Sequence, residues 1–247
     1  MFLLRVPLAI LGFLAASVYG VWIAVWRRDR SLVAHDYARM MVRLMRPPLG
    51  LRVEAEGREN LTARTPCIYI ANHQSLFDVV VLAEFYPPNT VVIGKKELRR
   101  IPFFGWMYVV TGNVLIDRSD NAGAVGRLME AERAIVERGV SVWIFPEGTR
   151  GSQPGRLLRF KKGAFHMAVA TGAPLVAVVS APVRPLFDPS RLRARPGTIR
   201  VRILPPIPTA GLTDADVPAL LATAQERMQA ALTELVESAK GKVLSAE

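Results

Sequence analysis

Hydrophobic and polar positions along this chain follow three successive patterns. Residues 6–26 carry no charge at all, and as a helix they would extend about 32 Å, enough to cover a hydrocarbon core of roughly 30 Å. Residues 31–46 have the helical period instead: Leu32, Val33, Tyr37, Met40, Met41, Leu44 and Met45 fall to one side, Arg39, Arg43 and Arg46 elsewhere. Beyond Pro47-Pro48-Leu49-Gly50, read as a punctuating turn, short apolar runs alternate with helical patterns. The runs predict strands over 51–56, 67–71, 90–93, 113–116, 140–145, 175–180 and 198–203. Helices are expected over 76–85, 104–110, 122–137, 164–170 and 214–240.

Continuous apolar strands with helices between them indicate an α/β fold: a mixed, largely parallel central sheet flanked by helices, with an N-terminal membrane-associated helical segment. The boundary is expected near residue 46, with anchoring helices over 1–46 and the α/β domain over 47–247.

The N-terminal reading is strengthened by what flanks it. Trp22 and Trp26 sit where indole rings favour an interface, and Arg27-Arg28-Asp29-Arg30 follows; by the positive-inside rule the rest of the chain stays in the cytoplasm. A signal peptide is the competing reading, since Arg5 precedes an apolar run containing Ala15-Ala16-Ser17, but the run is long and ends in tryptophans and arginines. The two segments read as a span followed by a surface helix, or as a two-helix hairpin dipping into one leaflet; equally, residues 31–46 read as an ordinary packed helix.

Charge narrows the partners. Formal net charge is +11 in 247 residues, which suits an anionic partner; the apolar N-terminus favours lipid, and no nucleic acid is expected. A single cysteine, Cys67, excludes an intrachain disulfide. With His35, His73 and His166 scattered, no zinc spacing arises and no metal site is expected.

Four segments carry candidate chemistry. Asn72-His73-Gln74-Ser75-Leu76-Phe77-Asp78 follows the run 67–71 and places a histidine five positions before a carboxylate. Such a carboxylate can hold an imidazole for proton transfer. Ser75 to Asp78 also reads as a capping box, Ser75 at N-cap and Asp78 at N3, a role that would equally be structural. Phe145-Pro146-Glu147-Gly148-Thr149-Arg150 ends the run 140–145, at a strand end where α/β sheets bind ligands. Gly148 permits a tight turn, Arg150 offers a fork for phosphate, and Glu147 would orient an arginine or accept from a substrate hydroxyl. Gly112 to Arg118 is a third apolar run, ending in Asp117-Arg118. Lys95-Lys96 and Lys161-Lys162 add cations near element ends. His35 and His166 read as ordinary helix residues. Neither a G-x-S-x-G elbow nor a phosphate-cradling G-x-x-x-x-G-K-[ST] loop is present.

In this order the segments resemble the glycerolipid acyltransferase family. Its N-H-x-x-x-x-D hallmark is matched by Asn72, His73 and Asp78, its second block by Gly112 to Arg118, and its F-P-E-G-T-R block by Phe145 to Arg150. Lys95-Lys96-Glu97-Leu98 with Ile101-Pro102-Phe103-Phe104-Gly105 looks like the joining segment. Phe160 to His166 looks like the stretch after the third block. The likeness is nearest to the bacterial 1-acylglycerol-3-phosphate acyltransferases, which convert lysophosphatidate to phosphatidate. One departure is visible: where the fourth block often reads V-P-I-V-P-V, this chain has Ala173-Pro174-Leu175-Val176-Ala177-Val178, without the second proline, which bears on acyl-chain preference.

The resemblance implies roles. His73 would be general base and Asp78 its orienting acid. Lys95, Arg118 and Arg150 would hold the acceptor phosphate, and Glu147, Gly148 and Thr149 would shape that pocket. No bound cofactor is implied; acyl-CoA or acyl-carrier protein would be the donor substrate and lysophosphatidate the acceptor. The expected location is a bacterial inner membrane, the catalytic domain facing the cytoplasm.

Overall fold

The computed structural model describes residues 2–27, 32–61, 66–117, 121–151, 153 and 155–244. Seven strands form one sheet in the order β1-β9-β6-β2-β5-β3-β4. They are β1 (Leu51–Glu56), β2 (Ile68–Ala71), β3 (Thr90–Lys95), β4 (Val114–Ile116), β5 (Ser141–Ile144), β6 (Leu175–Ser180) and β9 (Gly197–Ile203). From β6 across to β4 every pairing is parallel. Strand β9 runs antiparallel to β6, and β1 parallel to β9. The sheet is thus mixed and largely parallel, as its apolar runs foretold. Strand β2 lies at its centre with Ile68, Tyr69, Ile70 and Ala71 all fully buried, which is why it reads as an unbroken apolar run.

Helices α2 (Val33–Leu49) and α3 (Asp78–Leu82) cover one face. Helices α5 (Asn121–Arg138), α6 (Gly163–Thr171) and α7 (Val217–Leu244) cover the other. Helix α1 (Phe2–Trp26) packs outside α2 and against α4 (Phe104–Val110). A two-stranded hairpin, β7 (Phe187–Asp188) with β8 (Arg193–Ala194), joins β6 to β9. No sequence pattern marked it, because strands of two residues are too short for periodicity to register.

Two expectations about the helices are corrected. Pro47 and Pro48 do not form a turn before the domain; they occupy the last turn of α2, which ends at Gly50 in the left-handed region (φ 65). A proline's fixed φ fits a helix, and its cost is the missing N–H, here the partners of the Arg43 and Leu44 carbonyls. Leu44 O instead faces α1 at Gly12, where an added Cβ would lie only 2.8 Å from it. The helix expected over 76–85 begins at Asp78 and continues beyond Leu82 as a 3-10 turn through Phe85. The capping box is half made. Asp78 accepts from the Ser75 N–H at 2.8 Å, but Ser75 Oγ takes the Phe77 N–H at 3.2 Å rather than that of Asp78.

Helices α1 and α2 form an antiparallel hairpin pinned along its length. Arg5 Nη1 donates to Leu49 O at 2.9 Å, Gly12 meets Leu44, Gly20 meets Tyr37 and Met107, and Arg27 pairs with Asp36. Helix α2 is thus the ordinary packed helix among the readings the sequence left open, with Tyr37, Ala38, Met41 and Val42 buried in the core. Helix α1 is long and apolar enough to cross a membrane, and its outer face is bare: Leu3, Leu4, Leu8, Leu11, Val18, Trp22, Val25 and Trp26 are exposed. The Arg28-Asp29-Arg30 stretch lies outside the described residues.

Candidate active site

The parallel core brings the motifs together. His73 follows β2, Phe145 to Arg150 follow β5, and Lys95 ends β3. These three strands are neighbours pointing the same way, so their carboxyl ends open on one crevice. Asn72 fastens the first motif to β6: its Nδ2 donates to Ser180 O at 2.9 Å and its Oδ1 accepts from Ser180 N at 2.8 Å. That two-way bond extends the β2–β6 ladder by a side chain and fixes where His73 leaves the sheet.

Asp78 is 3% exposed. Its Oδ2 accepts from the Gln74 N–H at 2.6 Å and the Ser75 N–H at 2.8 Å, and lies 3.0 Å from His73 Nδ1. Three donors converge on one carboxylate oxygen, so Nδ1 carries the ring proton and Nε2 presents its lone pair. The imidazole stacks on Phe145, centroids 4.3 Å apart and 25° between planes.

Among the described residues Glu147 pairs with no arginine; both its oxygens take backbone donors. It is 3% exposed. Its Oε1 accepts the backbone N–H of His73 at 2.7 Å and its Oε2 that of Leu158 at 2.8 Å. The Gly151 N–H closes the link by donating to His73 O at 2.9 Å. Glu147 therefore clamps the loop after β5 to the backbone of His73. Burial raises its carboxyl above the ordinary range, against the two backbone donors, which pull it down.

Two hollows meet here. A cleft of about 360 Å³ is lined by His73, Lys95, Glu147, Gly148, Thr149, Arg150 and Lys161. An apolar cavity of about 270 Å³ runs beneath, walled by Phe13 and Tyr37 of the N-terminal hairpin and by Tyr86, Ile101, Phe104 and Met107; His73, Lys95 and Arg150 line both. The Tyr86 phenol that lines it is pushed well above its usual pKa by burial and by the Asp78 charge, so it stays neutral. Gly148 turns with φ 66, and a Cβ there would come within 2.8 Å of Lys161 Cε.

Lys95, Thr149 and Arg150 thus stand in one cleft with His73. Lys95 also pairs with Glu97 at 3.1 Å, and Lys96 with Asp117. Arg118 lies outside the described residues. Lys161 joins the cleft from the loop before α6, where the sequence marked it only as one of several cation pairs. The hairpin's part in the cavity left no local signal beyond the apolar face of α2. His166 and His35 stand elsewhere, bonded to Asp214 and to Tyr86 O. Among the described residues no group of His, Cys, Asp and Glu could hold a metal.

The chain that carries this arrangement has known relatives. A model of a family described as Acyltransferase matches residues 52–181, over half the chain. The chain belongs to the acyltransferase family. Among curated relatives, the 1-acyl-sn-glycerol-3-phosphate acyltransferase of Haemophilus influenzae is 36% identical over 97% of this chain and 98% of its own length. The enzyme of that name from Escherichia coli is 34% identical over 95% and 94%. A human 1-acyl-sn-glycerol-3-phosphate acyltransferase alpha is 33% identical over 87% of this chain and 75% of its own. The crystal structure of a 1-acyl-sn-glycerophosphate acyltransferase from Thermotoga maritima superposes with a TM-score of 0.74 at 28% identity, covering 94% of this chain and 95% of that one. The fold and enzyme class read from the sequence stand, and the glycerolipid branch of the family that it resembled is the one its relatives occupy.

Proposed function

We propose that this acyltransferase transfers a fatty acyl group from the thioester of acyl-CoA or acyl-carrier protein to the 2-hydroxyl of lysophosphatidate, giving phosphatidate. One observation carries the reading: His73 lies where a cationic cleft and an apolar cavity join. A lipid acceptor with a phosphate and a reactive hydroxyl, meeting a fatty acyl chain, has that polarity.

His73 Nε2 takes the proton of the acceptor hydroxyl as its oxygen attacks the thioester carbonyl. The Asp78 carboxylate holds the imidazole at Nδ1 and balances the imidazolium. Collapse of the tetrahedral intermediate breaks the carbon–sulfur bond, and the imidazolium returns its proton to the departing thiolate. Lys95, Arg150 and Lys161, with Arg118 from the second block, hold the acceptor phosphate, and Thr149 adds a hydroxyl donor; Arg150 suits a bidentate contact. Glu147 and Gly148 shape the site indirectly, through the His73 clamp and the turn against Lys161.

Helix α1 then lies along one leaflet rather than across the bilayer. It is tied to the domain at Arg5, Gly12, Gly20 and Arg27, so it cannot leave the domain's side while those contacts hold. The bare apolar face supplies the membrane contact. The location we assign is the cytoplasmic face of a bacterial inner membrane, where soluble acyl thioesters are available.

Purified His73→Ala assayed with lysophosphatidate and acyl-CoA or acyl-carrier protein should lose on the order of 10²–10⁴-fold in kcat with the acceptor KM little changed. Near-normal turnover would sink the general-base role. Equal rates with glycerol 3-phosphate or a lyso-ornithine lipid as acceptor would redirect the substrate assignment.

A further inference from the structure

The β7–β8 hairpin holds a second cationic concavity that acyl transfer does not use. Between residues 184 and 195 the chain carries Arg184, Arg191, Arg193 and Arg195 against one acid, Asp188. A hollow of about 380 Å³ opens among Arg184, Pro185, Asp188, Arg191 and Arg193. The buried Asp188 is already engaged. It accepts from the Ser190 N–H and hydroxyl at 3.1 and 2.6 Å and from Arg184 Nε at 3.3 Å. The Ser190 hydroxyl first, and Arg184 with it, hold its carboxyl below the ordinary range. Arg191 stands farther off, 3.8 Å from Asp188. Among the described residues Arg193 and Arg195 form no ion pair. One carboxylate therefore leaves most of the charge unspent.

The tip of this hairpin is apolar. Leu192 is 63% exposed and sits at φ 46, a conformation uncommon for a residue with a side chain. An exposed leucine flanked on both sides by arginine combines an apolar group for acyl chains with charges for headgroup phosphates.

Position decides what such a tip would meet. Strand β8 packs against α1, and Pro196, just beyond it, lies against Gly50 beside Arg5. The hairpin thus stands at the end of α1 where Leu3, Leu4 and Leu8 are exposed. On its other side the buried Phe187 stacks on Phe77 of the His73–Asp78 segment, centroids 5.2 Å apart.

We propose that the β7–β8 hairpin is a docking element for anionic phospholipid, with Arg191, Arg193 and Arg195 on headgroup phosphates and Leu192 among the acyl chains. Continuity with the α1 face selects a membrane over a soluble acidic protein. The proposal rests on the reading of α1 as the membrane-lying helix, and the test separates the two.

Full-length protein is partitioned onto phosphatidylcholine vesicles with and without phosphatidylglycerol, at low and high salt. Wild type should bind both and prefer the anionic vesicles, the preference fading with salt. The variant R191Q/R193Q/R195Q leaves the Arg184–Asp188 pair intact. It should lose on the order of 100-fold in affinity for anionic vesicles, at about a kcal/mol per arginine near the surface. Its binding to phosphatidylcholine and its acyl transfer in detergent micelles should be unchanged. The matching lysine variant should keep the anionic preference. A wild type without that preference, or a glutamine variant that retains it, overturns the proposal. Failure of wild type to bind phosphatidylcholine would instead count against α1.

Discussion

Glu147 and Arg150 sit three residues apart in one loop and carry different kinds of consequence. Both oxygens of Glu147 serve backbone donors, on His73 and Leu158; a glutamine can accept only one of the two and turns an amide N–H toward the other. Glu147→Gln is therefore expected to cost about 1–3 kcal/mol of stability and to lower kcat more than it raises KM, measured by urea unfolding and steady-state assay. The pH dependence has a definite sign. The Glu147 carboxyl is raised in the fold above its ordinary 4.5, so the folded state holds this proton to higher pH than the unfolded chain. The stabilisation is complete below 4.5 and is lost as pH rises through the raised value. The variant cannot titrate there, so the stability gap between wild type and Glu147→Gln should narrow with rising pH across that window. Arg150 and Lys161 lie exposed in the cleft. Arg150→Ala and Lys161→Ala should each raise the acceptor KM by about tenfold or more, as for loss of a charge-assisted contact, with the acyl-donor KM unaffected. An effect confined to the donor would contradict the phosphate role.

Among the elements, the α1–α2 hairpin turns on a match between a proline and a glycine. Pro48 cannot supply the N–H that would otherwise reach back to Leu44 O, and Gly12 of α1 lets that carbonyl approach. Small residues at a helix crossing allow this contact, as they do between membrane helices. Gly12→Leu should push α1 away from α2 and cost about 1–3 kcal/mol, seen as a lower Tm with the sheet's circular-dichroism signal intact. In the sequence the prolines read only as a punctuating turn, and Gly12 is one more residue of the uncharged run. Period and propensity describe one segment at a time, and here each irregularity is explained by its partner on the other helix. The strands were legible for the opposite reason. Buried on both faces, β2, β5 and β6 are apolar at every position but the terminal Ser141 and Ser180, whatever their neighbours. The β7–β8 pair, two residues per strand, offered no such run.

For the molecule as a whole, the N-terminal helices wall the site, and α1 adds a bare apolar outer face. Phe13 and Tyr37 line the cavity that reaches His73, and α1 packs on α4, whose Phe104 and Met107 line it too. A membrane anchor alone could be removed without harming turnover in detergent. A chain beginning after residue 27 should instead lose acyl transfer even in micelles and unfold at lower temperature, since it opens the cavity to water; full micellar activity would show the wall to be dispensable.

What the sequence determined by itself was local: strand and helix types, the histidine–carboxylate spacing, the glycine turn at Gly148, and the uncharged run of the first helix. Each depends on residues a few positions apart. The order of the four motif segments also identified the family, because it preserves a pattern even where no single segment is specific. Only the tertiary structure decided that Glu147 clamps the His73 backbone, that Lys161 belongs to the cleft, and that a cavity walled by the N-terminal hairpin ends at the imidazole. Those bring together residues 36 (Tyr37) to 88 (Lys161) positions from His73, in part through the parallel order β6-β2-β5-β3, and no periodicity along the chain encodes which segments will meet.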